Sequence, residues 1–367
     1  MRDSLLALRD RILLSTKFQR MAAAFPLTRP IANAQAQKAF DLCAGFVYSQ
    51  IALACVRMGV LEAVRDGAIG VDVLAARAGI PVARMRILAN AAAAIGLLSS
   101  RSRDRIGLGA NGAAIVANPS ISAMIEHHAV LYDDLSDPVA LRRGQRDAGH
   151  IRRFWVYAAG ASGHEERADI ADYTALMGQS QNLISDDIIA AQSFAPFRRI
   201  LDVGGGDGTF LIALARSASN FSGCLYDLPA VAELANANFK AAGLADRCVA
   251  VGGDFLRDEL PSDFDAVTLV RVLHDHDDAE AARLLAAIRR ALPPGKTIVV
   301  AEPMSGLPGT AAVADAYFGF YLMAMGSGRP RRPEEISALL AAAGFRDVRV
   351  VRTRRPFLVC IVRAISA

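Results

Sequence analysis

Lysine is scarce in this chain. Lys17, Lys38, Lys240 and Lys296 are the only lysines, and arginine supplies the rest of the 41 basic residues. The net charge is only +4, which excludes a dedicated nucleic-acid binder of the strongly basic kind. Tryptophan occurs once, at Trp155. The cysteines Cys43, Cys55, Cys224, Cys248 and Cys360 are not paired at metal-ligand spacing, and several lie in apolar runs. They read as buried free thiols of a reducing compartment, so neither a metal site nor a disulfide framework is expected. The expected location is cytoplasmic. Long apolar runs are also missing. The uncharged, largely apolar stretch 42–56, between Asp41 and Arg57, is shorter than the roughly 20 residues that span a bilayer and reads as a buried helix. No signal-peptide pattern is visible. Disorder is excluded by 53% hydrophobic against 21% charged residues.

The segment that carries most information is Leu201-Asp-Val-Gly-Gly-Gly-Asp-Gly-Thr-Phe210. An apolar strand turns through glycines into an apolar helical pattern, which brings backbone amides and a positive helix end to a ligand. The dinucleotide fingerprint requires a third glycine where Thr209 stands. The fit is better to Asp202-x-Gly204-x-Gly206-x-Gly208, with an acid inside the strand end. That acid repels a pyrophosphate and suits an ammonium group, such as the methionine part of S-adenosylmethionine. The next apolar run ends in Asp227, placed to accept ribose hydroxyls.

Downstream, strands are expected near 199–203, 222–226, 247–252, 265–272, 296–302, 347–352 and 356–362, with helices between most of them. The result is an α/β, Rossmann-like doubly wound sheet with an antiparallel last strand. One strand runs into His274 and the next ends in Glu302. A histidine at a strand carboxyl end is suited to take a proton near neutral pH, and Glu302 is expected to orient and stabilise its imidazole. His276, Asp277 and Asp278 read as the start of the following helix. Adjacent strand-end residues point in different directions, so a metal site of His274, Asp275 and His276 is not expected.

Four domains are expected: an amphipathic arm 1–37, a winged-helix unit 38–120, a helical connector 121–195 contributing to the substrate pocket, and a catalytic domain 196–367. A winged helix invites a DNA-binding reading. However, the candidate recognition helix 82–96 carries only Arg84 and Arg86 before turning apolar, as a core or dimer interface does. In residues 1–24, Leu5, Leu8, Ile12 and Phe18 alternate with Arg2, Arg9, Arg11, Lys17 and Arg20. Such a segment packs on protein or lies peripherally on an anionic membrane, here the inner or intracytoplasmic face.

Leu201-Asp-Val-Gly-Gly-Gly206, Asp227, Gly253-Asp-Phe255, Val272-Leu-His-Asp275 and Ala301-Glu-Pro303 together resemble the S-adenosylmethionine-dependent O-methyltransferases of the caffeate/chalcone type. The resemblance implies an all-α winged-helix dimerisation domain and a homodimer. It also implies S-adenosylmethionine as the cofactor, with S-adenosylhomocysteine as its product, and no metal. His274 becomes the general base and Glu302 its carboxylate. Asp202, Gly204, Gly206, Asp227 and Leu228 fall on the cofactor side, with Asp254 and Phe255 flanking the adenine. Met177, in Leu176-Met-Gly-Gln-Ser180, falls on the substrate side, and Trp155 is a second candidate there.

The chain departs from the plant pattern at Pro330, which replaces a second supporting glutamate, and at Val270, where lysine is common and Arg271 is the candidate substitute. Those departures, with Ala24-Phe-Pro-Leu-Thr-Arg-Pro-Ile31, Asp133-Asp-Leu-Ser-Asp-Pro138 and Arg271-Val-Leu-His-Asp-His-Asp277, resemble the carotenoid O-methyltransferases of purple phototrophic bacteria. That branch implies a lipophilic acceptor, the tertiary 1-hydroxyl of an acyclic hydroxycarotenoid. Bacteriochlorophyllide C-20 methyltransferases are near relatives. A small phenolic acceptor, or a winged-helix regulator with a cofactor-sensing domain, stays open at this point.

Overall fold

Gly79 and Pro81 punctuate the N-terminal unit as their chemistry requires. The helix Val71–Ala78 ends at Gly79, whose left-handed φ of 67° suits a residue without Cβ. Pro81 then caps the helix Val82–Ala94. The computed structural model describes residues 2–144, 149–154, 178, 181–182 and 184–367. They form two units, Met1–Ala117 and Asn118–Ala367.

The first unit holds the helices Arg2–Leu14, Thr16–Ala24, Arg29–Arg57, Val60–Ala63, Val71–Ala78, Val82–Ala94 and Ala110–Val116. It is not wholly α. Strands β1 (Ile69–Gly70), β2 (Leu98–Arg101) and β3 (Arg105–Leu108) form a three-stranded antiparallel sheet in the order β1-β3-β2. β2 and β3 pair as a hairpin over the segment read as a wing, and β1 adds a third strand. The expected boundary at residue 37 falls inside the unbroken helix Arg29–Arg57.

That helix also corrects the buried-helix expectation for 42–56. Only Leu53 and Cys55 are buried on it, and Leu42 is 87% and Phe46 70% exposed. It is long and apolar enough to cross a membrane by length and composition. Both buried residues lie in its C-terminal half. Cys43 is accordingly exposed, whereas the other four cysteines are buried. On the candidate recognition helix, Arg86 is paired with Asp104 of the wing at 2.8 Å, so half of its small cationic charge is already neutralised.

The second unit begins inside the expected winged-helix range, and the connector and the catalytic sheet belong to it together. Its sheet comprises β4 (Arg199–Val203), β5 (Ser222–Asp227), β6 (Cys248–Gly252), β7 (Ala266–Val270), β8 (Thr297–Glu302), β9 (Phe345–Val351) and β10 (Cys360–Ser366). The order is β6-β5-β4-β7-β8-β10-β9, and β10 runs antiparallel to both its neighbours. Strands β4, β7 and β8 are buried along almost their whole length, which explains why they read as continuous apolar runs. The last strand starts four residues later than its apolar run suggested. Pro356 has no N–H to donate to a ladder, and Leu358 N instead closes a turn on Arg355 O.

Strand order reverses between β4 and β7, and doubly wound sheets open their ligand crevice at the carboxyl ends of such strands. Gly204 and Val272 meet there: a Cβ on Gly204 would stand 2.8 Å from Val272 Cγ2. Connector helices Pro119–Asp134 and His150–Phe154 pack beside this crevice on the helix Gly319–Met325, through Leu131, Ile151, Leu322 and Met325.

Candidate active site

The glycine loop after β4 turns sharply, with Gly204, Gly206 and Gly208 all left-handed at φ 68°, 61° and 84°. It then delivers the helix Thr209–Ser217. Asp227 at the end of β5 holds the loop. Its Oδ2 accepts from Gly206 N at 2.9 Å and its Oδ1 from Leu228 N at 2.7 Å. Asp202 lies beneath the loop and not on the crevice wall. Its Oδ1 accepts from Thr268 Oγ1 at 2.5 Å, and its Oδ2 is buried without a partner. Burial pushes its carboxyl up to about 7, against the Thr268 hydrogen bond and with help from Asp227. A cation arriving nearby favours the charged form.

After β6, Asp254 Oδ1 accepts from Leu256 N at 2.9 Å, which fixes the turn carrying Phe255. Phe255 meets the His276 ring edge-on, with centroids 5.4 Å apart. The half-open cavity here is lined by Gly204, Phe255, Arg271 and His274 among the expected residues. Asp202, Gly206, Asp227, Leu228, Asp254 and Glu302 do not line it. Trp155 and Met177 lie outside the described residues. Asp207 and Gln181 line the cavity although neither was singled out.

The chain leaves β7 through Arg271, a non-glycine residue at φ 58°, which costs on the order of 1–3 kcal/mol and clusters at functional sites. A single 3₁₀ turn, Leu273–Asp275, follows and buries His274 to 2% exposure. Glu302 does not reach the imidazole as expected. Its Oε2 accepts from the His274 backbone N at 3.1 Å, because the turn aims its amides at the end of β8. The imidazole's carboxylate neighbour is Asp275, with Oδ1 3.3 Å from Nε2, while Nδ1 has no hydrogen-bond partner. Burial, reinforced by the positive charges of Arg271 and Arg331, holds His274 well below the usual histidine range. It is therefore neutral at physiological pH. Burial pushes Glu302 up to about 8, so it is largely protonated near neutrality.

Sequence reasoning missed the residue that holds this turn. Arg331 is fully buried. Its Nη1 donates to Leu273 O (2.7 Å) and its Nη2 to His276 O (2.8 Å), and Nη2 also bonds Asp278 Oδ1 (2.8 Å). Arg329 N donates to His274 O and Ser327 Oγ to Asp275 O, both at 2.9 Å. Gly328 passes so close that a Cβ would overlap His274 O. The segment with Pro330 in place of a glutamate therefore supports the base through backbone carbonyls. The signal was available in Gly326-Ser-Gly-Arg-Pro-Arg-Arg332, where glycines and arginines cluster in an otherwise apolar region. As expected, Asp277 caps the next helix, accepting from Glu280 N at 2.9 Å. Among the described residues, no group of three or more His, Cys, Asp or Glu side chains could hold a metal ion.

Residues 132–346 match the O-methyltransferase domain family. The chain is 40% identical to demethylspheroidene O-methyltransferase of Cereibacter sphaeroides over 96% of its own length and 92% of that protein's. This chain belongs to the O-methyltransferase family. The Rhodobacter capsulatus protein of the same name is 37% identical, over 96% of this chain and 88% of that one. The fold of this O-methyltransferase is shared with a solved methyltransferase of calicheamicin biosynthesis in its SAH-bound form. That structure has a TM-score of 0.75 at 25% identity, over 91% of this chain and 98% of that one. Human N-acetylserotonin methyltransferase, solved with SAM, gives a TM-score of 0.77 at 20% identity over 91% and 98%, a likeness of fold alone.

Replacing Arg331 with Met removes its donors from the Leu273 and His276 carbonyls and should destabilise the enzyme by about 3 kcal/mol or more. Thermal melts read that loss, and residual methyl transfer in the folded fraction should fall further than cofactor affinity does. Unchanged stability and activity would remove Arg331 from the account.

Proposed function

We propose that this O-methyltransferase moves a methyl group from S-adenosylmethionine to the tertiary 1-hydroxyl of an acyclic hydroxycarotenoid, with His274 as general base. The observation that carries the acceptor is the 40% identity to a demethylspheroidene O-methyltransferase, which extends over nearly the whole of both chains. The donor reading is supported by the fit of the glycine crevice. Gly204, Gly206 and Leu228 with Asp227 would hold the nucleoside, Asp254 and Phe255 would flank the adenine, and the partnerless Asp202 Oδ2 would favour a cationic ligand. When bound, S-adenosylmethionine supplies an electrophilic methyl group on a sulfonium.

The residues of the chain do the rest. The walls exclude water and orient the acceptor oxygen, since in-line displacement demands alignment. A tertiary alcohol is far less acidic than a phenol, and a histidine cannot ionise it in advance. His274 instead takes the hydroxyl proton as the new C–O bond forms, when that proton becomes strongly acidic. A neutral imidazole is the state this requires, and the Asp275 carboxyl, pushed up to about 7 by burial, stands 3.3 Å from Nε2. Label from methyl-labelled S-adenosylmethionine should enter a 1-hydroxycarotenoid in preference to phenols or chlorophyllides; label in a phenol alone would refute the acceptor. His274→Ala should lose on the order of 10²-fold or more in turnover and keep S-adenosylhomocysteine affinity by calorimetry. Joint loss of both would contradict the base assignment.

The N-terminal unit supports a second part of this reading, a homodimer that touches a cytoplasmic membrane face. Phe40, Leu42 and Phe46 are exposed on the helix Arg29–Arg57 and suit a second copy. Leu5, Leu8 and Leu13 are exposed near Arg9 and Arg11 and suit an anionic surface. The full chain should float with anionic liposomes more than a variant lacking residues 1–24, and equal partitioning would count against membrane contact.

A further inference from the structure

Two histidines of the helix Pro119–Asp134 remain outside this chemistry. His127 and His128 are neighbours in sequence, so their side chains leave the helix about 100° apart and reach different partners. His127 Nε2 meets Tyr321 Oη at 2.9 Å, and His128 Nε2 meets Tyr317 Oη at 2.9 Å. The two tyrosines are four residues apart, on one face where a π-helical segment, Ala312–Phe318, passes into the helix Gly319–Met325. Their rings stack at 5.9 Å and 29°. Phe318 contacts both tyrosines and also the His274 ring, 5.4 Å away. Burial holds His127 down at about 4, so the tether is a neutral hydrogen bond.

Tyr321 lines the same cavity as His274. A free phenol there would offer a polar contact to a polar acceptor. Here its hydroxyl is committed to His127, and ring carbon is what remains to contact an acceptor. We propose that Tyr321, tethered by His127, is a specificity-determining wall of the acceptor chamber that favours a flat, conjugated hydrocarbon over a small polar phenol. His127 is a positioning residue that acts through Tyr321. This inference rests on the acceptor reading above.

The test uses the full-length enzyme, labelled S-adenosylmethionine, a 1-hydroxycarotenoid and catechol, with calorimetry of S-adenosylhomocysteine as the control. Tyr321→Phe keeps the ring and removes the tether. Its KM for the carotenoid should rise about fivefold, the effect of one hydrogen bond, and more than kcat falls. His127→Phe frees the Tyr321 hydroxyl and should shift preference toward catechol. The double variant should be no worse than His127→Phe alone. Cofactor affinity should not move. The proposal is overturned if both variants keep the wild-type carotenoid-to-catechol ratio, or if acceptor and cofactor affinity fall together. Should His127→Phe not fold, Tyr321→Phe decides alone. Failure of the acceptor reading shows separately, as a wild-type enzyme that does not methylate the carotenoid.

Discussion

One buried guanidinium holds the chemistry in place. Arg331 gathers the carbonyls of Leu273 and His276 and bonds Asp278, so a single side chain fixes both ends of the turn that carries His274. An arginine fork can do this because its donors are planar and its charge is permanent. The same positive charge helps keep the imidazole neutral. Structural support and electrostatic tuning therefore come from one residue. Glu302 completes the support from the sheet side by accepting the His274 amide.

The two sides of the crevice are built by different physics. The donor side is backbone geometry: left-handed glycines after β4, steadied by the Asp227 carboxylate. The acceptor side is aromatic packing, in which Phe318 and Tyr321 join Arg271 and His274 around one cavity. Strain sits between them, at the left-handed Arg271 where the chain leaves β7.

Much of the catalytic sheet was legible in the sequence. Strands β4, β5, β7 and β8 announced themselves as apolar runs, because strands covered on both faces have no polar alternation to hide them. The glycine loop, Asp227 and His274 were legible for the same reason, since each sits where a strand ends. The orientation of Glu302 was not, because a 3₁₀ turn decides whether an amide or a ring faces it. Arg331 was hidden by distance, 57 positions after His274, and by a residue type usually read as surface. The tyrosine wall was hidden because its partners come from a helix almost 200 positions upstream. The exposed face of the helix Arg29–Arg57 was misread as core, since hydropathy alone does not say what covers a helix.

The claim at the centre is that a clamped, buried turn keeps His274 neutral. Nuclear magnetic resonance of isotopically labelled histidine, with His274 assigned by substitution, measures this directly across pH. The account predicts a ring that stays neutral through the ordinary histidine range near 6.5 and charges only well below it. Titration of His274 at or above about 6.5 would contradict it.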